Sequence, residues 1–301
     1  MPEAWRSDGG ATFVHFEGVF HHATFFLNGK YLMSHECGYT GFDLRLDNAT
    51  NVRFGPGAEN VLTLRADASF GSGHWYEGGG IYRPVHLEHV AATHITRDGL
   101  FVPPEGDGSA ISASAELETT ATTRVSASVR FALFEIGGST PIAASASTSA
   151  TVPAAGTGTY IVSAKLRPTG AGAVQAWSTR NPQLYTMVAE VMLPNGAVID
   201  SVNDTVGFRT TSFTGADGKP PFTLNGEPLH FRGFSHHNSI GGLGVAIPER
   251  VQLFRVQASR AMGTNMFRMS HNPYDVALYD LLDATGQMVW DENRYVIPMS
   301  L

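Results

Sequence analysis

"FRMSHNPYDVALYDLLDATGQMVWDENR", residues 267–294, decides how the C-terminal third of the chain folds. One apolar run ends in Arg268 and His271. The segment "VALYDLLDATG" (276–286) follows with helical spacing, and a second apolar run, "QMVWDEN" (287–293), ends in Asp291 and Glu292. Upstream, "PLHFRGFSHH" (228–237) closes on His236 and His237. Between these strands "IPERVQLFRVQASRAMG" (247–263) carries Val251, Phe254, Ala258 and Ala261 three to four residues apart, the spacing of one helical face. Pro248 stands near its first turn and Gly263 where a C-cap belongs, and Gly286 ends the second helix in the same way. Strand, helix, strand, helix, strand predicts parallel βα units wound in one hand. In such sheets and barrels the C-terminal strand ends form the site. Three consecutive strands that each end in ionisable residues therefore predict one shared pocket.

The residues carry different weights. Side chains two apart on a strand share a face, so Arg268 and Ser270 point together and His271 points away unless the strand has ended. Asn272-Pro273, a turn-forming pair, ends it; a purely structural capping role for His271 is the alternative. Arg268, with apolar neighbours on both sides, needs a carboxylate partner in the same mouth. Asp291 and Glu292 are adjacent, and adjacent strand residues face opposite ways. Retaining glycoside hydrolysis needs two carboxyl groups roughly 5–5.5 Å apart across one bond. These two cannot clamp a bond, so at most one of them faces the pocket, as a hydrogen-bonding or charge-orienting group. Asp275, Asp280 and Asp283 read as a solvated face on or beside the second helix.

Residues 11 to 90 read as short alternating strands. "FVHFEGVFHHATFFLNGKYLM" (13–33) alternates through Val14 and Phe16, then Ala23, Phe25 and Leu27, and reaches Asn28-Gly29, a strong hairpin signal. With "NVLTLRAD" and "IYRPVHLEHV" this predicts a β-sandwich. Residues 91 to 212 are rich in Ala, Ser and Thr, as in "SAISASAELETTATTRVSASVRFALFE" (109–135), and a disordered linker is one reading. Val125, Val129, Phe131 and Leu133 keep one parity, however, and "YIVSAKL" and "YTMVAEVML" are strand-like, which favours a second β-sandwich.

At 301 residues the chain has room for two or three domains, and 43% apolar residues is ordinary for globular folds. Twenty basic residues against 27 acidic ones give no footprint for nucleic acid, and neither a membrane span nor a basic run for a membrane surface is visible. Cys37, the single cysteine, excludes an intrachain disulfide framework and a Cys-rich zinc site. The histidine pairs His21-His22 and His236-His237 lack the i, i+4 spacing of a helical metal site. "YEGGGIYR" leads into a strand, and "GGLGVAIP" lacks the Lys and spacing of a P-loop, so no phosphate cradle is expected. "MPEAWRSDGG" has no signal-peptide pattern, which favours the cytoplasm.

Several segments together resemble glycoside hydrolase family 2, the β-galactosidase, β-glucuronidase and β-mannosidase group. "FEGV", "FLNGKYLMSHECGYTGFDLRL" (26–46), "GAENVLTLRAD" (57–67) and "HWYEGGGIYRPVHLEHV" (74–90) are similar to the family's jelly-roll domain. "WSTRNPQLYTMVAEV" (177–191) and "DTVGFRT" (204–210) resemble its immunoglobulin-like domain. "FTLNGEPLHFRGFSHHNS" (222–239), "NMFRMSHNP" (265–273) and "LLDATGQMVWDEN" (281–293) resemble the start of its (β/α)8 barrel. The resemblance implies a jelly-roll β-sandwich at 1–90, an immunoglobulin-like β-sandwich at 91–212, and the first three βα units of a truncated (β/α)8 TIM barrel at 213–301. It further implies that His237, Arg268, His271, Asp291 and Glu292 border a sugar pocket, with "RMSHNP" and "WDEN" most like β-galactosidases. A β-glucuronidase, a β-mannosidase or a non-catalytic carbohydrate-binding relic is the alternative.

The departures are as informative. Asn238-Ser239 stand where galactosidases often have an Asp, and Gly73-His74 where some members place a sugar-binding acid. "NRYVIPMSL" does not supply the Glu and His that bind magnesium in some members, so no metal and no cofactor is expected. The family's acid/base and nucleophile Glu residues are expected beyond Leu301, so no catalytic residue is assigned in this chain. The expected partner is a carbohydrate, with a homo-oligomer possible for the full-length protein. The third strand is expected to present an unpaired edge prone to aggregation.

Overall fold

The structure, a computed structural model, describes residues 1–47, 49–69, 78–104, 106, 109–169, 174–213 and 222–293. Gly73-His74 and the stretch from 294 onward, on which two of the readings above rest, lie outside the described residues. By compactness the chain divides into two units. One comprises residues 1–89, 232–282 and 287 onward; the other comprises 90–231 and 283–286. No helix among the described residues is long and apolar enough to cross a membrane.

The first unit contains a small β-sandwich. One sheet orders Phe42–Arg45, Ala11–Phe16 and Val85–Val90; the other orders Lys30–His35, Ala23–Leu27 and Leu62–Ala66. The alternation read from sequence is what buries Phe16, Phe25, Leu27 and Leu44 between them. Phe25 is fully enclosed and packs 5.0 Å from the Phe16 ring. Leu27 pairs with Lys30 across a two-residue turn in which Asn28 (φ 48°) and Gly29 (φ 81°) both take the left-handed conformation. The Asn28 side chain also accepts from Val61 N (2.8 Å) and donates to Asn51 O (2.8 Å), tying the turn to its neighbours.

The second unit is a larger β-sandwich, which decides against the linker reading of the Ala/Ser/Thr-rich segment. Tyr160–Leu166, Ile111–Thr119 and Thr93–Phe101 form one sheet. In the other, Val125–Glu135 pairs with Ala143–Ala144, Thr148–Val152 and Tyr185–Met192, and the last of these pairs with Val198–Val206. Val129, Phe131 and Leu133 are buried with Leu117, Leu166, Met187 and Val191. The Ser and Thr positions alternate outward, so polar composition hides a continuous apolar face. A short antiparallel meander, Thr211–Ser212, Thr223–Leu224 and Glu227–Pro228, closes the unit.

The remaining elements of the first unit are the βα units. Strands Gly233–His237, Met266–Ser270 and Met288–Trp290 form a parallel sheet in that order, with His237 opposite Ser270 and Arg268 opposite Trp290. Helices Glu249–Ala261 and Val276–Thr285 connect them. Gly233 admits no side chain: a Cβ there would lie 2.2 Å from Met266 O. Phe267 and Met269 point to the helices and are buried with Val256, Tyr274, Leu278 and Leu282. Arg268 and Ser270 take the opposite face.

Two readings are corrected here. The first helix buries Gln252, Val256 and Ser259, while Phe254 is 70% exposed. The polar Gln252 and Ser259 belong to the packed face, so apolar spacing alone selected the wrong one; Gln252 Nε2 donates to Asp275 Oδ2 at 3.2 Å. Asp275 is therefore half-buried and engaged rather than part of a solvated face. Its Oδ1 accepts from Leu278 N at 2.9 Å and caps the second helix.

Candidate functional site

The strand ends place one cluster of ionisable side chains. Arg268 leaves the middle strand on the face away from the helices, and its Nε donates to Glu292 Oε1 at 2.7 Å. Its Nη1 donates to Ser235 Oγ on the first strand at 2.8 Å. The middle strand ends at Ser270, and the Ser270–His271 peptide is cis. His271 then reaches Glu292 from the other side: Nδ1–H donates to Oε2 at 2.6 Å. The His237 ring lies edge-on to that of His271, with centroids 5.9 Å apart. The ends of three strands thus bring a guanidinium and one imidazole onto a single carboxylate, with a second imidazole behind the first.

Electrostatics fixes the charge states. Burial alone would raise the Glu292 carboxyl, but the hydrogen bonds from His271 and Arg268 outweigh it and hold the group below the usual Glu range. His237 is held below the ordinary histidine value by desolvation, and then by the charges of His271 and Arg268. At neutral pH the cluster is an ionised carboxylate with its guanidinium, beside a neutral His237.

Asp291 stands apart. Its Oδ2 accepts from the Tyr279 hydroxyl (2.8 Å) and its Oδ1 from Glu292 N (2.9 Å), so its carboxylate is engaged toward the second helix. Of the five residues singled out in the sequence, the structure gathers His237, Arg268, His271 and Glu292, and directs Asp291 elsewhere.

A supporting layer was not legible in the sequence. The Tyr274 hydroxyl donates to His236 O and Ser270 O, and burial raises its pKa well above the usual tyrosine value. His236 stacks face to face on Phe267 at 3.7 Å, and burial lowers its pKa to about 4. Asn238 and Asn272 are almost wholly enclosed. Among the described residues, Asn238 Nδ2, Ser270 Oγ and Asn272 Oδ1 have no hydrogen-bond partner. The only sequence signal for this layer was the density of polar residues around 235–239 and 270–274. No group of His, Cys, Asp and Glu among the described residues is arranged to hold a metal ion.

Comparison with known proteins places this sheet and its cluster in a family. The model for glycosyl hydrolases family 2 matches residues 93–209, and the model for the TIM barrel domain of the same family matches residues 218–298. The chain is 30% identical over 292 residues to β-galactosidase BoGH2A of Bacteroides ovatus, covering 95% of this chain and 32% of that protein. It is 26% identical over 300 residues to a β-glucuronidase of Formosa agariphila, covering 92% of this chain and 30% of the relative. A crystal structure of a glycosyl hydrolase family 2 member from Bacteroides cellulosilyticus superposes with a TM-score of 0.86 at 27% identity, over 97% of this chain and 38% of that one. The chain belongs to glycosyl hydrolases family 2, and it spans about a third of the length of the curated relatives it matches.

Proposed function

We propose that this chain carries the glycone-recognising side of a retaining exo-β-glycosidase that acts on terminal β-galactosides. His237, Arg268, His271 and Glu292 hold the sugar through its hydroxyl groups. The observation that carries the reading is the paired cluster itself. Glu292 is fixed by Arg268 and His271 at 2.6–2.7 Å, so its oxygens are aimed before any ligand arrives. A site that pairs each hydroxyl rejects an epimer, because the epimer leaves buried polar groups unpaired.

Charge favours a neutral sugar over a uronic acid. The guanidinium is already neutralised by Glu292, and His237 is neutral at pH 7. A uronate carboxylate entering beside the Glu292 carboxylate would meet like charge. Galactose binding followed calorimetrically on this chain tests the reading. Binding in the millimolar range is expected for a monosaccharide (about 1–10 mM), with Arg268→Met weakening it about tenfold or more. Glucuronate binding more tightly than galactose would instead assign a β-glucuronidase, the activity named for one of the relatives.

No catalytic role is assigned to the acidic pair. Glu292 is held ionised by two donors, which disfavours it as a general acid, and Asp291 is engaged with Tyr279. In the whole protein two further carboxyl groups would protonate the leaving oxygen and attack the anomeric carbon, through a covalent intermediate. Hydrolysis of a nitrophenyl β-galactoside by these 301 residues would overturn that division of labour.

A further inference from the structure

We infer that Arg83, which lies in the sandwich and outside the cluster, is a positioning residue: it ties down the segment that presents His271 to Glu292. For its ligand this role rests on the sugar-binding reading above; for its geometry it rests on the following contacts.

Arg83 is 8% exposed, and its guanidinium reaches three different segments through backbone carbonyls. Nη1 donates to Tyr39 O at 2.8 Å and to Glu17 O at 3.3 Å, and Nη2 donates to Pro273 O at 2.9 Å. All of these residues belong to the same compact unit. A buried cation normally takes a carboxylate; here carbonyl oxygens of two sandwich loops and one barrel loop serve instead. The sandwich carbonyls are met by Nη1 and the barrel-loop carbonyl by Nη2, two nitrogens held apart by one planar fork, so the single ammonium nitrogen of Lys would not bridge both sides. The surroundings are shaped for it. The guanidinium lies over the Tyr82 ring, 5.0 Å from its centroid, and the Tyr82 hydroxyl donates to Gly38 O at 2.8 Å. A Cβ at Gly18 would come within 2.9 Å of Arg83 Cδ, so glycine there leaves the passage open.

Pro273 O is also the acceptor of Asn272 Nδ2 at 2.9 Å, and Tyr274 is tied through its hydroxyl to His236 O. His271 therefore sits between two anchors: the end of the middle strand at Ser270, and the Arg83 tie two residues further on. Releasing the second anchor frees His271 to leave Glu292 while Arg268 stays in place on its strand.

The test compares this chain with Arg83→Met, Arg83→Lys and, as a control in the other sandwich, Phe131→Leu. Carbon-detected NMR follows the Glu292 carboxyl through its titration, with thermal unfolding and galactose affinity measured alongside. In Arg83→Met the Glu292 midpoint is expected to move up as the His271 hydrogen bond is lost, and galactose affinity to fall about tenfold to a hundredfold, the scale of a misplaced contact. Arg83→Lys should shift Glu292 in the same direction. Phe131→Leu should lower the melting temperature without moving Glu292, separating positioning from general loosening. A folded Arg83→Met with an unchanged Glu292 midpoint overturns the proposal; if that variant does not fold, an unchanged midpoint in Arg83→Lys overturns it equally. Failure of the unmodified chain to bind galactose would sink the sugar reading and leave the Glu292 comparison to decide the positioning role.

Discussion

Glu292 and Asp291 are neighbours in sequence with separate fates, and the reason is local. Past the end of a strand the two carboxylates face different partners, Arg268 and His271 for one and Tyr279 for the other. The depressed Glu292 carboxyl contributes stability at any pH above the unfolded Glu value, and that contribution is lost as pH falls through the lower, folded value. Arg268→Met should therefore raise the Glu292 titration midpoint and reduce the acid sensitivity of unfolding, as urea titrations at several pH values would register. His236 works in the opposite sense. Its folded value of about 4 lies below the ordinary 6.5, so between these limits the unfolded chain takes up a proton that the folded chain refuses. Stability falls as pH drops through that window and levels off below it. His236→Phe should keep the stacking on Phe267 and make the urea midpoint less steep between pH 4 and 6.5, the remaining slope coming from His237 and the other histidines held below their ordinary value. The need of Arg268 for an acid partner was legible in its apolar flanks. Arg83 and Tyr274 were not, because they answer to backbone carbonyls, whose positions no residue type reveals.

At the level of single elements, punctuation was more legible than facing. Pro248 and Gly263 bound the first helix as read, and Asn28-Gly29 makes the turn its chemistry demands. The packed helical face was misread, since Gln252 and Ser259 are buried and Phe254 is not. Denaturation of variants should follow the structure. Val256→Ala is expected to lose about 2 kcal/mol and Asp275→Ala about 1 kcal/mol through the lost cap, whereas Phe254→Ser should stay within about 0.5 kcal/mol. A large loss on Phe254→Ser would show that the helix packs through its apolar spacing after all. The Ala/Ser/Thr-rich strands make the complementary point: Phe131 and Leu133 carried the parity, and small outward residues obscured it only as composition.

Taken whole, the molecule has separate apolar cores in its two units, so thermal unfolding should show more than one transition. Phe131→Ala should lower only the transition of the second unit, by about 3–5 kcal/mol of local stability. In the parallel sheet, Met288–Trp290 pairs only with the middle strand among the described residues, and Trp290 is 56% and Phe234 49% exposed. Light scattering should therefore rise with concentration, and Phe234→Lys should suppress it. The order of strands and helices in the last third was legible because each element carried its own period and stop signals. The contacts joining that third to the N-terminal sandwich were not, since they run between residues as distant in sequence as Arg83 and Pro273. For anyone recombining modules of this family, that tie sets a seam: residues 232–293 grafted onto a foreign scaffold would keep His271 and lose the clasp behind it. The sandwich has to travel with the barrel for the transplanted seat to hold its shape.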